Sequence, residues 1–142
     1  MGIEIGRVIA VREFRVRKGA NSTTTILVSL GEPRAEKESS YICPFSVEGL
    51  EGGIQRMYAA GIDGIQALQL AQVMIHAHLT TSREFREGRL YWLRPNNPNG
   101  IGFPGSAWEA TGLTKPKLGR SGVQKRKTGS SSSRQRKRRR RR

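Results

Sequence analysis

The chain has 142 residues, with 26 Lys and Arg against 11 Asp and Glu and a net charge of +15. That length suits one domain with a core of its own. The single cysteine, Cys43, excludes an intramolecular disulfide framework and a multi-cysteine zinc site, and no apolar run approaches the roughly 18 residues of a membrane span.

The charge is unevenly placed. Residues 1–114 hold 12 Lys or Arg and 11 Asp or Glu, a net of +1, whereas residues 115–142 hold 14 and no acid, a net of +14. The chain therefore divides into a nearly neutral domain, 1–114, and a basic tail, 115–142. At the N-terminus no charged region precedes the apolar stretch, and Glu4 and Arg7 interrupt it, so it does not read as a signal peptide. Position 6 is Gly6 rather than the Ser or Thr of a myristoylation signal. A soluble, cytoplasmic protein is expected.

Residues 3–17, IEIGRVIAVREFRVR, predict a strand. Phe14 and Val16 fall on one face, with Glu13, Arg15 and Arg17 on the other. Ile3 and Ile5 have the opposite parity, so either a bulge near Gly6 shifts the register or the first part is covered on both faces. After a turn at 18–22, residues 23–30 predict a second strand with Ile26, Val28 and Leu30 inward. GEPRAEKE reads as a polar turn. Residues 39–47 predict a third strand, with Tyr41, Cys43, Phe45 and Val47 on one side. Pro44 lacks an N–H, which predicts an edge or a bulge there.

The segment IQRMYAAG, 54–61, reads as a short helical turn. A long helix follows, starting at Asp63 as N-cap with Gln66 three residues on. Its apolar side carries Ala67, Leu68, Leu70, Ala71, Met74, Ile75, Ala77 and Leu79, and is broad enough to pack across a sheet. Residues 83–88 are polar, and RLYWLRP predicts a fourth, returning strand that stops before Pro95. NNPNGIGFPG is a turn-dense loop, and SAWEATGL would add a last short element with Trp108 packing back. Beyond Lys115 only Leu118 and Val123 remain of the larger aliphatics, too little apolar surface to offset ordering entropy, so the tail is expected to be disordered. The fold class that results is α+β: a three-stranded antiparallel meander with one long helix packed across it and a returning fourth strand.

The tail carries two basic clusters: Lys125, Arg126 and Lys127, then Arg134, Arg136, Lys137, Arg138, Arg139, Arg140, Arg141 and Arg142. Cations at this density neutralise phosphates and release counterions, which gives salt-dependent, sequence-independent binding to DNA or RNA. No aromatic residue is interleaved, so base stacking is not indicated. Anionic membranes, acidic proteins and, in a eukaryotic setting, nuclear import are other uses of such a cluster. A solvated extension with no dedicated role stands against all of them.

In the domain, Gln66, Gln69, Gln72 and His76 form an uncharged polar helix stripe, a possible partner face or a solvated one. Arg12, Arg15 and Arg17 suggest a basic strand face, diluted by Glu4 and Glu13. Cys43 as a nucleophile would need a nearby base and a lowered pKa; a buried strand cysteine is the reading preferred here. His76 and His78 project about 200° apart on a helix, so they do not readily chelate one metal. No catalytic residue, metal or cofactor is assigned, and the protein is read as non-enzymatic.

Tyr41-Ile-Cys-Pro-Phe45, followed by Ala59-Ala-Gly-Ile-Asp-Gly-Ile-Gln-Ala-Leu-Gln-Leu-Ala71, resembles a small bacterial family of unknown function. That family pairs a Cys-Pro-aromatic strand with a Gly-Val-Asp-Ala-Ile-Gln-Ala-Leu-Gln-Leu-Ala helix start. Ile62 replaces its Val, and Gly64 its Ala. The resemblance covers roughly residues 1–95. It implies a bacterial or phage origin and a compact sheet-plus-helix domain, without an activity. Two functions are expected from these residues. One is an accessory or regulatory protein whose tail contacts nucleic acid or a nucleic-acid-containing complex. The other is a protein-interaction module, such as an immunity, inhibitor or phage or mobile-element protein, acting through the folded domain. No small-molecule substrate is identified.

Overall fold

The computed structural model describes residues 2–106. Their elements run β1 (Val8–Arg17), β2 (Thr23–Gly31), β3 (Arg34–Lys37), β4 (Ser40–Leu50), β5 (Gly53–Gly61), α1 (Gly64–Thr80), α2 (Arg83–Arg86) and β6 (Leu90–Tyr91). All strand pairings are antiparallel. From one edge the sheet runs β6, β1, β2 with β3 continuing it, β4 and β5. It is an α+β fold with a six-stranded sheet and one main helix.

The strands arise where alternating residues can be buried. Phe14 and Val16 of β1, Ile26, Val28 and Leu30 of β2, and Cys43, Phe45 and Val47 of β4 are buried together as the core. Helix α1 completes that core with Ala67, Ala71, Ile75 and Leu79, packing on β4 and β5. Its start is capped as expected. Asp63 Oδ1 accepts from the Gln66 N–H at 2.7 Å, and the Gln66 side chain reaches back to accept from the Ile62 N–H at 2.8 Å.

Several expectations need correction. Residues 54–61 are not a helical turn but the body of β5, paired with β4 from Leu50↔Gly53 to Tyr41↔Gly61. That ladder and the inward placement of Met57 and Ala59 outweigh the helix propensity of the Met-Tyr-Ala-Ala run. The meander therefore has four long strands, not three. The polar turn after β2 contains β3, and the polar stretch after α1 contains the one-turn helix α2, capped by Ser82. The returning strand is present, but it spans only Leu90–Tyr91 before Leu93 takes a positive φ of 64°. On α1, Met74 and Ala77 are exposed rather than packed on the sheet.

Pro44 is not on an edge strand, since β4 pairs on both sides. On the β2/β3 side the ladder skips Cys43 and Pro44, between Leu30↔Phe45 and Arg34↔Ile42, so the proline lies at a break. Behind it passes the N-terminal segment. A Cβ on Gly31 would stand 2.3 Å from the Ile5 oxygen and 2.7 Å from Pro44 Cγ, so only glycine lets Ile5 cross here. Arg34 Nη2 donates to the Glu4 carbonyl at 3.0 Å and the Glu32 N–H to the Arg7 carbonyl at 2.8 Å, which ties down the rest of the segment. The register shift in β1 lies between Val8 and Ala10, slightly beyond Gly6. Val8, Ile9 and Val11 are exposed, so this stretch is not covered on both faces.

Candidate functional site

Helix α1 roofs β4 and β5, leaving the front of β1 and β2 to the loop after β6. Arg12 organises that contact. It shares the inward parity of Phe14 and Val16, where a charge is unexpected. Its guanidinium carbon lies 4.2 Å from the Trp92 ring centroid and 4.5 Å from that of Phe103. Nη1 donates to the Gly102 carbonyl at 2.6 Å and to the Ile101 carbonyl at 3.3 Å. Burial draws the Arg12 pKa below its ordinary value. Phe103 stacks on Phe14 at a centroid distance of 6.2 Å, and its carbonyl meets His76 Nδ1 at 3.0 Å. Gly102 has a φ of +69°, and a Cβ there would lie 2.5 Å from the Trp92 ring. Arg12 is thus not part of a basic strand face with Arg15 and Arg17; its signal in the sequence is an arginine at an inward position. The expected packing of Trp108 lies outside the described residues.

Between α1, the clasp and β1 runs a groove of about 260 Å³. Val28 and Leu30 are among its apolar lining, Leu68 and Gln72 come from the helix, and Phe103 contributes from the loop. Ile9 and Val11 lie at its β1 side, 43% and 55% exposed. The structure also disperses the polar helix stripe. Gln66 serves the cap, Gln69 is half-buried, Gln72 lines the groove, and His76 holds the Phe103 carbonyl.

A second cavity, about 290 Å³, lies between the β4–β5 turn and the α1–α2 corner. The Glu84 side chain lines it in a buried residue, and Oε1 accepts from the Glu51 N–H at 2.9 Å. Burial alone pushes this carboxyl up. The backbone N–H groups of Glu51 and Glu84, with Arg89 and Lys18, outweigh it and hold it below the ordinary value. His78 lines the same cavity, and its Nε2 is buried without a hydrogen-bond partner among the described residues. Arg83 and Glu51 of its lining, with Glu87 and the half-buried Arg89 nearby, form ion pairs that are largely solvated and add little to stability.

Cys43 is fully buried, with Sγ 3.5 Å from the Gly31 carbonyl. Burial pushes the thiol pKa up to about 11, the reverse of what a nucleophile needs. We expect no labelling of Cys43 by a small thiol reagent in the native protein at neutral pH, and full labelling in denaturant. The unfolded thiol titrates near 8.5. Its stabilising contribution is therefore complete below that pH and declines as pH rises toward 11. Rapid native labelling would contradict the burial.

Among the described residues no group of three or more His, Cys, Asp or Glu side chains could hold a metal ion. No helix among them is long and apolar enough to cross a membrane. The basic residues Lys125, Arg126, Lys127, Arg134, Arg136, Lys137, Arg138, Arg139, Arg140, Arg141 and Arg142 lie outside the described part.

Fold and clasp together define a small α+β domain in which a sheet is closed by one helix and one arginine-pinned loop. The family model described as a domain of unknown function, DUF6968, matches residues 10–105, and the chain belongs to that family. The match agrees with the resemblance read from the Cys-Pro-Phe strand and the helix start. It spans the clasp and ends before the basic segment. No curated protein matches the chain, and no solved structure matches it.

Proposed function

We propose that this is a non-enzymatic accessory or regulatory binding protein whose basic tail contacts nucleic acid or a nucleic-acid-containing complex. One observation carries the reading. Fourteen of the 26 cationic residues stand in the last 28 positions, with no acid among them, beyond the span of the family model. Such a segment neutralises phosphates and releases counterions without reading bases. The folded domain supplies whatever specificity there is.

The test compares the full chain with a variant whose Lys125–Lys127 and Arg134–Arg142 cations are replaced by glutamine. Both are titrated onto a labelled DNA duplex and an RNA hairpin across a salt series. The wild-type chain is expected to lose about 10³-fold or more in affinity between roughly 50 and 200 mM salt, as proteins making 6–10 phosphate contacts do. The variant is expected to lose most of its affinity and most of its salt dependence. Equal binding by both proteins would overturn the tail reading. Absence of binding by either protein would also overturn it and would favour the second reading, a protein-interaction module acting through the folded domain. The observation behind that alternative is the exposed apolar run Val8, Ile9 and Val11 beside the groove.

A further inference from the structure

The face of β1 turned away from the core carries a second basic feature. Arg15 and Arg17 are exposed there, between and beyond the buried Phe14 and Val16. The sheet register sets Thr25 of β2 beside Arg15 and Thr23 beside Arg17. On the other side Tyr91 of β6 stands opposite Arg15, and the Arg17 N–H donates to the Arg89 carbonyl at 3.1 Å, which brings Arg89 alongside Arg17. Lys18 follows directly in the chain.

These cations are not equally compensated. Arg89 has ion pairs with Glu87 and Glu51. Lys18 acts on the buried Glu84 carboxylate. Arg15 and Arg17 form no ion pair with a described residue; Arg17 lies 5.8 Å from the Tyr91 ring centroid. Like charges two apart on one strand, with a third across the ladder, repel each other. On that face Glu13, opposite Leu27, stands two residues before Arg15 but forms no ion pair with it, and it is four residues from Arg17. Glu4, which dilutes the basic residues in the sequence, belongs to the N-terminal segment beside Arg34. Arg12, the third arginine of the set, is turned to the other face and held in the clasp. What remains is a compact pair of guanidinium groups, without an ion pair among the described residues and flanked by two threonine hydroxyls. Guanidinium groups bind phosphate oxygens by paired charge-assisted hydrogen bonds, and threonine hydroxyls add neutral donors to the same oxygens.

We propose that Arg15 and Arg17, with Thr23 and Thr25, form a phosphate-contacting strip on the folded domain that engages the same nucleic acid as the tail. The proposal rests on the tail reading above. It adds a contact on the folded domain to those of the tail. Once the tail is bound, the strip meets phosphate at the high local concentration of a tethered second site, and the strip sets how the domain is oriented on the nucleic acid.

The experiment uses the full-length chain as wild type, Arg15→Gln, Arg15→Gln/Arg17→Gln and the tail-neutralised variant. Binding to one short DNA duplex is followed by fluorescence anisotropy across a salt series. Thermal melts check that each protein folds. Each phosphate contact contributes about 0.9 to the slope of log affinity against log salt. The single variant should be shallower by about one and the double variant by about two. The tail-neutralised variant should lose a larger share. A folded double variant with the wild-type slope and affinity would overturn the strip and leave the tail reading standing. Absence of salt-dependent binding by the wild-type chain would overturn both.

Discussion

Phe14→Ala is expected to be among the most damaging single substitutions in the domain, costing about 3–5 kcal/mol of unfolding free energy. Phe14 is fully buried in β1, next to the arginine of the clasp and stacked on Phe103. Truncating it opens a cavity between the sheet and the loop, and the backbone on either side is held by the β2 ladder, so the cavity cannot close easily. Urea denaturation of wild type and variant under one set of conditions measures the difference. A loss below about 1 kcal/mol would mean that the site collapses freely, contrary to a close-packed core.

The second large effect concerns two glycines three residues apart, for which opposite signs are expected. At Gly61, the last residue of β5, an added Cβ would stand 2.5 Å from the Ala67 N and 3.0 Å from the Gln66 carbonyl carbon, both backbone atoms of α1. Helix and strand would have to separate. Gly61→Ala is expected to destabilise the domain by about 1–3 kcal/mol or more, as overpacking does. At Gly64, in the first turn of α1, the nearest atoms to an added Cβ are Pro33 Cβ at 3.5 Å and Tyr41 Cδ1 at 3.8 Å, which is ordinary contact. Gly64→Ala is expected to stabilise by about 0.4–1 kcal/mol, because alanine restricts the unfolded chain and favours the helix. Thermal melts of the two variants resolve the signs. A Gly61→Ala protein melting with or above wild type would refute the close approach of β5 to α1.

Much of this fold was legible in the sequence, and the illegible parts share a cause. Phe14 and Val16, Ile26, Val28 and Leu30, and Cys43, Phe45 and Val47 alternate along their strands, and each is buried as its pattern implied, whereas Tyr41, expected on the side of Cys43, is exposed. Asp63 and Gln66 cap the helix through local hydrogen bonds that depend on few other residues. β5 was hidden because its outward residues include Ile54 and Tyr58, 57% and 48% exposed, so inward and outward positions do not contrast in polarity. β3 is exposed at every position and has no apolar pattern to read. The clasp was hidden for a related reason. Arg12 breaks the pattern of its strand, and the partners that make it tolerable, Trp92 and the residues from Ile101 to Phe103, lie far away in sequence. The polar stripe of α1 obeyed helical geometry. Whether it faced solvent depended on where the loop carrying Phe103 came to rest, which periodicity does not encode.

The clasp also bears on the order in which this chain closes. From β1 to β5, each strand pairs with one close behind it in the chain, β2 with β4 across the segment that holds β3, and α1 then folds back onto β4 and β5. Such neighbour-to-neighbour steps enclose few residues. The bonds from Arg12 to the carbonyls of Ile101 and Gly102 join positions 89 and 90 residues apart. Loop-closure entropy grows with the logarithm of the enclosed length, so this step costs about 2 kcal/mol more than closing a ten-residue hairpin from an unstructured chain. With the sheet and helix already in place, most of that entropy has been lost in earlier steps, and the loop has only its own residues to order. The arginine thus works with the pairing of β6 on β1 as a tie between the first strand and the last described loop, in an assembly whose other strand pairings join near neighbours in sequence.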